Sequence, residues 1–171
     1  MAAVAVLALL NQFGLGWAAT AWPLLLLAAG ALLLIFIYPR HPVADWSAIW
    51  NDPQQRQHTL IAVAIAWAGA LELIGWRFGW PLAAMLVGVL FLSHTQHGTG
   101  HAMSRAVLLH RRLGLTVIMG AALRAAEIIT GAELLAWLWP LALLAAAAQL
   151  IIYHEPEGAF ESADMHMGSH S

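Results

Sequence analysis

From Trp17 to Tyr38 the chain runs for twenty-two residues without a charged side chain. A helix that is apolar all round is stable only inside a large core or in a bilayer. About 20 such residues match the ~30 Å of hydrocarbon in a membrane. Four more stretches of this kind follow, so spans are expected at about 17–38, 59–76, 80–97, 113–130 and 134–153. The alternative of a water-soluble core fails on surface chemistry. Only 9 % of the residues are charged, against roughly 25 % in soluble domains, which leaves too little polar surface to cover a globule. The expected fold is an all-α integral membrane helical bundle of about five transmembrane helices, filling residues 1–155.

The boundaries have local causes. Pro39 and Pro42 close the first span, since proline ends or interrupts a helix and restricts the residue before it. The third is short, but Pro81 suits a first helical turn. Between spans one and two, Arg40–Gln57 forms an interfacial loop in which Trp46 and Trp50 sit at headgroup level. The first fifteen residues are apolar with no Arg or Lys before Arg40. They form either an uncharged lead-in or a signal-like segment without a basic n-region. Residues 156–171 are a flexible polar tail containing Met165, His166 and Met167. No internal repeat is evident.

Nine histidines stand out against this poverty of charge. Successive spans alternate direction, so the ends of odd spans and the starts of even spans share one side. His41 follows span one and His58 opens span two. His94, His97 and His101 close span three, and His110 opens span four. His154 closes span five, with His166 and His170 in the tail beyond it. All nine therefore fall at one face of the bilayer. His58, His94, His97, His101, His110 and His154 are the candidate metal ligands. There is no cysteine, so a transition metal has only imidazole, thioether and carboxylate to bind. Imidazole suits Cu, Zn, Fe and Ni, and thioether favours Cu(I). Met165, His166 and Met167 form a candidate copper-capturing group on the same side. The ordinary alternative for each histidine is an interfacial side chain, and for His110, beside Arg111 and Arg112, a headgroup contact.

The far side carries Glu72, Arg124 and Glu127 within apolar spans. Charges there are costly and pair inside the bundle. Arg124 is expected to bridge Glu72 and Glu127 and so pin span two to span four, with a proton or ion relay as the alternative.

The ordered elements Asp52-Pro53, Gln57-His58, Glu72, the histidines after span three, His110, Arg124 with Glu127, Trp139-Pro140 and Tyr153-His154-Glu155 cover about Tyr38 to Phe160. In these the chain resembles the bacterial copper-resistance protein D family. The resemblance implies a polytopic inner-membrane protein that handles copper at the periplasmic face, in transport or tolerance. It makes His58, His94 and His97 the leading ligands, with His110 next, and implies a periplasmic copper donor as partner. On orientation it opposes the charge count. Arg40, Arg56, Arg105, Arg111 and Arg112 lie on the histidine side, and the positive-inside rule places such a side in the cytoplasm.

Two other functions remain open at this level. A b-type haem electron carrier would use paired axial histidines, His58 with one of His94, His97 or His101. A small accessory subunit of a larger membrane complex would need no metal, whereas a homo-oligomer or a partner could complete the site at the end of the short third span. Seven arginines, no lysine and a net charge of −2 exclude nucleic acid as a partner. No catalytic motif specifies an enzyme.

Overall fold

The structure is a computed structural model that describes residues 1–37, 46–51, 53–93 and 101–152. Regular structure among these is helical throughout: α1 (Ala2–Gln12), α2 (Ala18–Ile37), α3 (Trp46–Asn51), α4 (Pro53–Leu73), α5 (Gly79–Ser93), α6 (His101–Thr130) and α7 (Glu133–Ile152). The five expected spans correspond to α2 and α4 to α7. Three helical stretches are long and apolar enough to cross a membrane: Ala18–Ile35, Val107–Thr130 and Glu133–Ile152. At 15 residues, α5 is about 22 Å long. The 21 residues of α4 include Arg56, His58 and Glu72.

Helix starts depart most from the apolar reading. Pro53 takes the first position of α4, where its missing N–H costs nothing, and Gln and Arg carry the helix into the apolar run. Twelve residues before the apolar segment at 113, α6 has already begun. The intervening residues, rich in Ala, Leu and Arg, are good helix formers whatever their polarity. Apolarity marks where a helix is buried in hydrocarbon, and propensity marks where it starts. The first fifteen residues are not a mere lead-in to α2, because they form α1 as a separate helix.

What separates α1 from α2 is Gly14, and what separates α4 from α5 is Gly75, at φ 84° and 86°. Each closes a Schellman motif. Gly14 N–H donates to Asn11 O at 3.0 Å and Leu15 N–H to Leu10 O at 3.2 Å. Gly75 N–H donates to Glu72 O at 3.0 Å and Trp76 N–H to Leu71 O at 2.9 Å. The left-handed conformation costs an L side chain ~1–2 kcal/mol, and glycine avoids it. The α6–α7 turn at Gly131 lies at this same end of the bundle, called the far end below.

Among the described residues, six helices close into a ring. In order, α1 touches α2, α2 touches α4, then α5, α6 and α7 follow, and α7 returns to α1. The short α3 lies on α4. The ring is three antiparallel hairpins, α1–α2, α4–α5 and α6–α7. Inside the hairpins lies a repeat that the sequence alone did not disclose. Trp22-Pro23-Leu24, Trp80-Pro81-Leu82 and Trp139-Pro140-Leu141 each begin within the first two turns of the second helix of a hairpin, α2, α5 and α7. All three Trp are buried and all three Leu are exposed. Four positions after each Trp, Leu26, Ala84 and Leu143 are buried, and after eight, Gly30, Gly88 and Ala147 are buried. Only three identities persist, because Leu, Ala, Val and Gly exchange freely along apolar helices, and the period dissolves into the general apolarity.

The Trp rings meet inside the ring of helices. Trp139 lies 5.8 Å from Trp22 and 6.3 Å from Trp80 between centroids. Towards the other end, an apolar cavity of about 150 Å³ is lined from all six helices, by Val4, Leu26, Ile65, Ala84, Val117 and Leu143 among others. A buried water needs two to four polar partners; the six named side chains supply none, and Trp80 in the lining adds a single indole N–H donor.

Candidate functional site

The end opposite the Gly turns, where the described histidines lie, is organised by the last turn of α5. The final four carbonyls of a helix lack partners within it. Gln57 of α4 meets one of them: its Nε2 donates to Leu90 O at 3.1 Å and to Ser93 Oγ at 3.2 Å. Ser93 Oγ donates in turn to Leu90 O at 3.0 Å. This fastens the second turn of α4 to the end of α5 and fixes the level of His58, which is exposed. From the other flank, the half-buried His110 ring of α6 packs 5.7 Å from the Phe91 ring of α5.

His58 and His110 thus share one end of the bundle, on either side of α5. They are not side by side, because α4 and α6 do not touch among the described residues. His101 is the first residue of α6. Nine positions separate it from His110, about 13 Å of rise and two and a half turns, which places their Cα atoms on opposite faces. His94 follows Ser93 by one position and His97 by four. His94, His97 and His154 lie outside the described residues, as do Met165, His166 and Met167. Among the described residues no three His, Asp or Glu side chains gather within metal-binding reach.

The far end holds the charges. Arg124 and Glu127 of α6 are both buried and pair with each other, Nη1 to Oε2. The other oxygen of Glu127 accepts from Arg77 Nη2 at 3.0 Å. Glu72 Oε1 instead accepts from the backbone N–H of Trp80 at 3.2 Å, satisfying an orphan donor in the first turn of α5. The expected bridge through Arg124 is therefore replaced by one through Glu127. The shared member is the carboxylate, and the partner from outside α6 is Arg77. The reason is geometric. Glu72 sits on the last turn of α4 beside the start of α5, where a backbone N–H is nearer than a side chain two helices away.

Arg77 is the residue that sequence reasoning missed, since it stands in the turn after Gly75 and outside every apolar span. Trp80 and Trp139 also stand near helix starts, where tryptophan commonly serves as an interfacial anchor. Trp17 and Trp76 fit that expectation, at 60 % and 46 % exposed, whereas Trp22, Trp80 and Trp139 are at most 5 % exposed. The guanidinium of Arg124 lies 5.2 Å from the Trp139 ring centroid, within cation–π range. The signal available in the sequence was the Trp-Pro-Leu triplet. Trp17, Trp67 and Trp76 lack the proline, and all three are exposed.

Comparison with protein-family models, with curated proteins and with solved structures finds no match.

Proposed function

We propose that this chain is a multi-pass protein of a bacterial inner membrane that binds copper through histidines at one face of the bilayer, in copper transport or tolerance. The bilayer reading is supported by the distribution of side-chain size. Alanines at positions 62, 68, 84, 121 and 146 fill the interior, at 0–1 % exposed. Large apolar side chains such as Leu32, Ile35, Trp67, Leu82, Leu115 and Ile151 lie outside, at 51–72 % exposed. Small residues between helices with large apolar ones turned outward is the arrangement that lipid favours, and water would penalise so much exposed apolar surface.

The observation that carries the metal reading is the placement of His58 and His110 against the end of α5. In the sequence, His94 and His97 follow that end within four residues. The order of these residues, as in the copper-resistance protein D family that the sequence resembles, makes copper the favoured cargo. With no cysteine present, the donor set is neutral imidazole with thioether from Met165 and Met167. Protonated imidazole does not bind metal, so affinity falls as pH drops through about 6.5.

Elemental analysis and a visible spectrum of detergent-purified protein test the reading. Wild type retains copper at pH 7.5 and loses it below about pH 6, while His94→Ala/His97→Ala retains markedly less at pH 7.5. Equal copper in wild type and this variant removes the histidine cluster. A Soret band in wild type assigns the histidines to haem instead.

A further inference from the structure

The five arginines whose side chains the structure describes are not equivalent. At the far end, Arg77 and Arg124 both pair with Glu127. At the histidine end, Arg56, Arg111 and Arg112 are exposed, and no described carboxylate pairs with any of them. Among the described residues Arg56 donates to a backbone carbonyl, Trp50 O, at 3.3 Å.

Arg111 and Arg112 sit in unusual company for exposed cations. One turn away on either side along α6 are Leu108 and Leu115, 48 % and 60 % exposed, with Met119 beyond at 52 %. These arginines therefore stand on an outward apolar face, about one turn inside the end of α5, which His110 and Phe91 bring to the same level. From Arg112 to Glu127 is fifteen positions, about 22 Å along the helix axis. A hydrocarbon core is ~30 Å thick. Side chains at these depths must reach outward to the interface, as arginine does by laying its apolar stem along the helix. The group that neutralises it there is the lipid phosphate.

We infer that Arg111 and Arg112, with Arg56, engage the phosphates of anionic phospholipid headgroups, and that the end bearing His58 and His110 faces the cytoplasm. The inference rests on the bilayer reading above and is independent of copper. Its direction follows from the asymmetry. An excess of Arg at one end of the helices sets orientation towards the cytoplasm, where anionic headgroups attract basic side chains. The two far-end arginines are both paired with Glu127, Arg124 inside the bundle and Arg77 at its edge. This is the opposite face from the periplasmic one that the family resemblance implies.

Because the chain has no cysteine, one introduced thiol reports one location. Asn51→Cys lies at the histidine end and Ala132→Cys at the far end, both exposed. In intact bacterial cells a membrane-impermeant maleimide labels Ala132→Cys and spares Asn51→Cys, and permeabilised cells give both. Adding Arg111→Gln/Arg112→Gln to Asn51→Cys raises its labelling in intact cells at least several-fold. In nanodiscs, replacing part of the phosphatidylcholine by phosphatidylglycerol raises the Tm of the full chain and not that of the double Gln variant, and inorganic phosphate alone raises neither. Labelling of Asn51→Cys in intact cells overturns the orientation. An equal lipid-dependent gain in the variant, or an equal gain from inorganic phosphate, overturns the headgroup site. Recovery of the unlabelled chain from the soluble fraction overturns the bilayer reading itself.

Discussion

Glu127 carries more of the far-end electrostatics than either of its partners. It is buried, and each of its oxygens meets a different guanidinium. Removing its charge by Glu127→Gln leaves Arg124 buried without a counter-ion, which costs about 3–5 kcal/mol in comparable sites. Arg77 is different, since its side chain is 55 % exposed and its pairing is screened by solvent. Such pairs contribute at most about 1 kcal/mol. Thermal unfolding in detergent is expected to rank Glu127→Gln well below Arg77→Gln, and equal losses would show that Arg77 is as essential as Arg124. Gly75→Ala adds a purely conformational case. A Cβ there meets nothing within 4 Å, and φ is +86°, so the loss is the left-handed penalty alone, ~1–2 kcal/mol.

At the scale of elements, glycines decide how closely the helices approach. A Cβ built on Gly30 would fall 2.7 Å from the Ala62 carbonyl oxygen, and one on Gly88 2.8 Å from the Gly114 carbonyl oxygen. Backbone atoms cannot step aside as a flexible side chain can. Gly30→Ala and Gly88→Ala are therefore expected to lose about 1–3 kcal/mol through forced separation of α2 from α4 and of α5 from α6. Gly120→Ala is the contrasting case. Its nearest neighbour would be the Ala142 Cβ at 3.3 Å, which asks α6 and α7 to part by only a few tenths of an ångström, and alanine gains up to about 1 kcal/mol in helix propensity. The unfolding midpoint is expected to fall for the first two and to stay level or rise for the third; a uniform fall would mean that the ring does not pack as described.

The same contrast explains what could be read in advance. Apolar length located α2 and α4 to α7, and the alternation of directions put His58 and His110 at one end, because both depend on position along the chain alone. The order of helices around the ring depends on which small residues face one another, and no single residue declares that. This is why α5 standing between His58 and His110 was not foreseen, nor Arg77 as the partner of Glu127, fifty positions away in the chain. Helix α1 escaped because its start was read by apolarity, whereas the element was made by the left-handed Gly14.

For the molecule as a whole, three hairpins meet at three Trp rings, and one of them is the hub. Trp139 contacts both Trp22 and Trp80 and also carries the Arg124 guanidinium over its face. Trp22 and Trp80 make no ring contact with each other. A buried Trp→Ala typically costs about 3–5 kcal/mol, but the arrangement is tested by coupling and not by size. Trp22→Ala combined with Trp139→Ala should lose less than the sum of the single changes, as should Trp80→Ala with Trp139→Ala, since each pair shares a contact that is lost only once. Trp22→Ala with Trp80→Ala should come closer to additive, because sites without shared contacts usually agree within about 0.5 kcal/mol. Unfolding midpoints of the three single and three double variants decide it. If all three doubles couple equally, the rings form a mutual cluster in place of a hub, and the far ends of the hairpins are tied to each other directly without passing through α7.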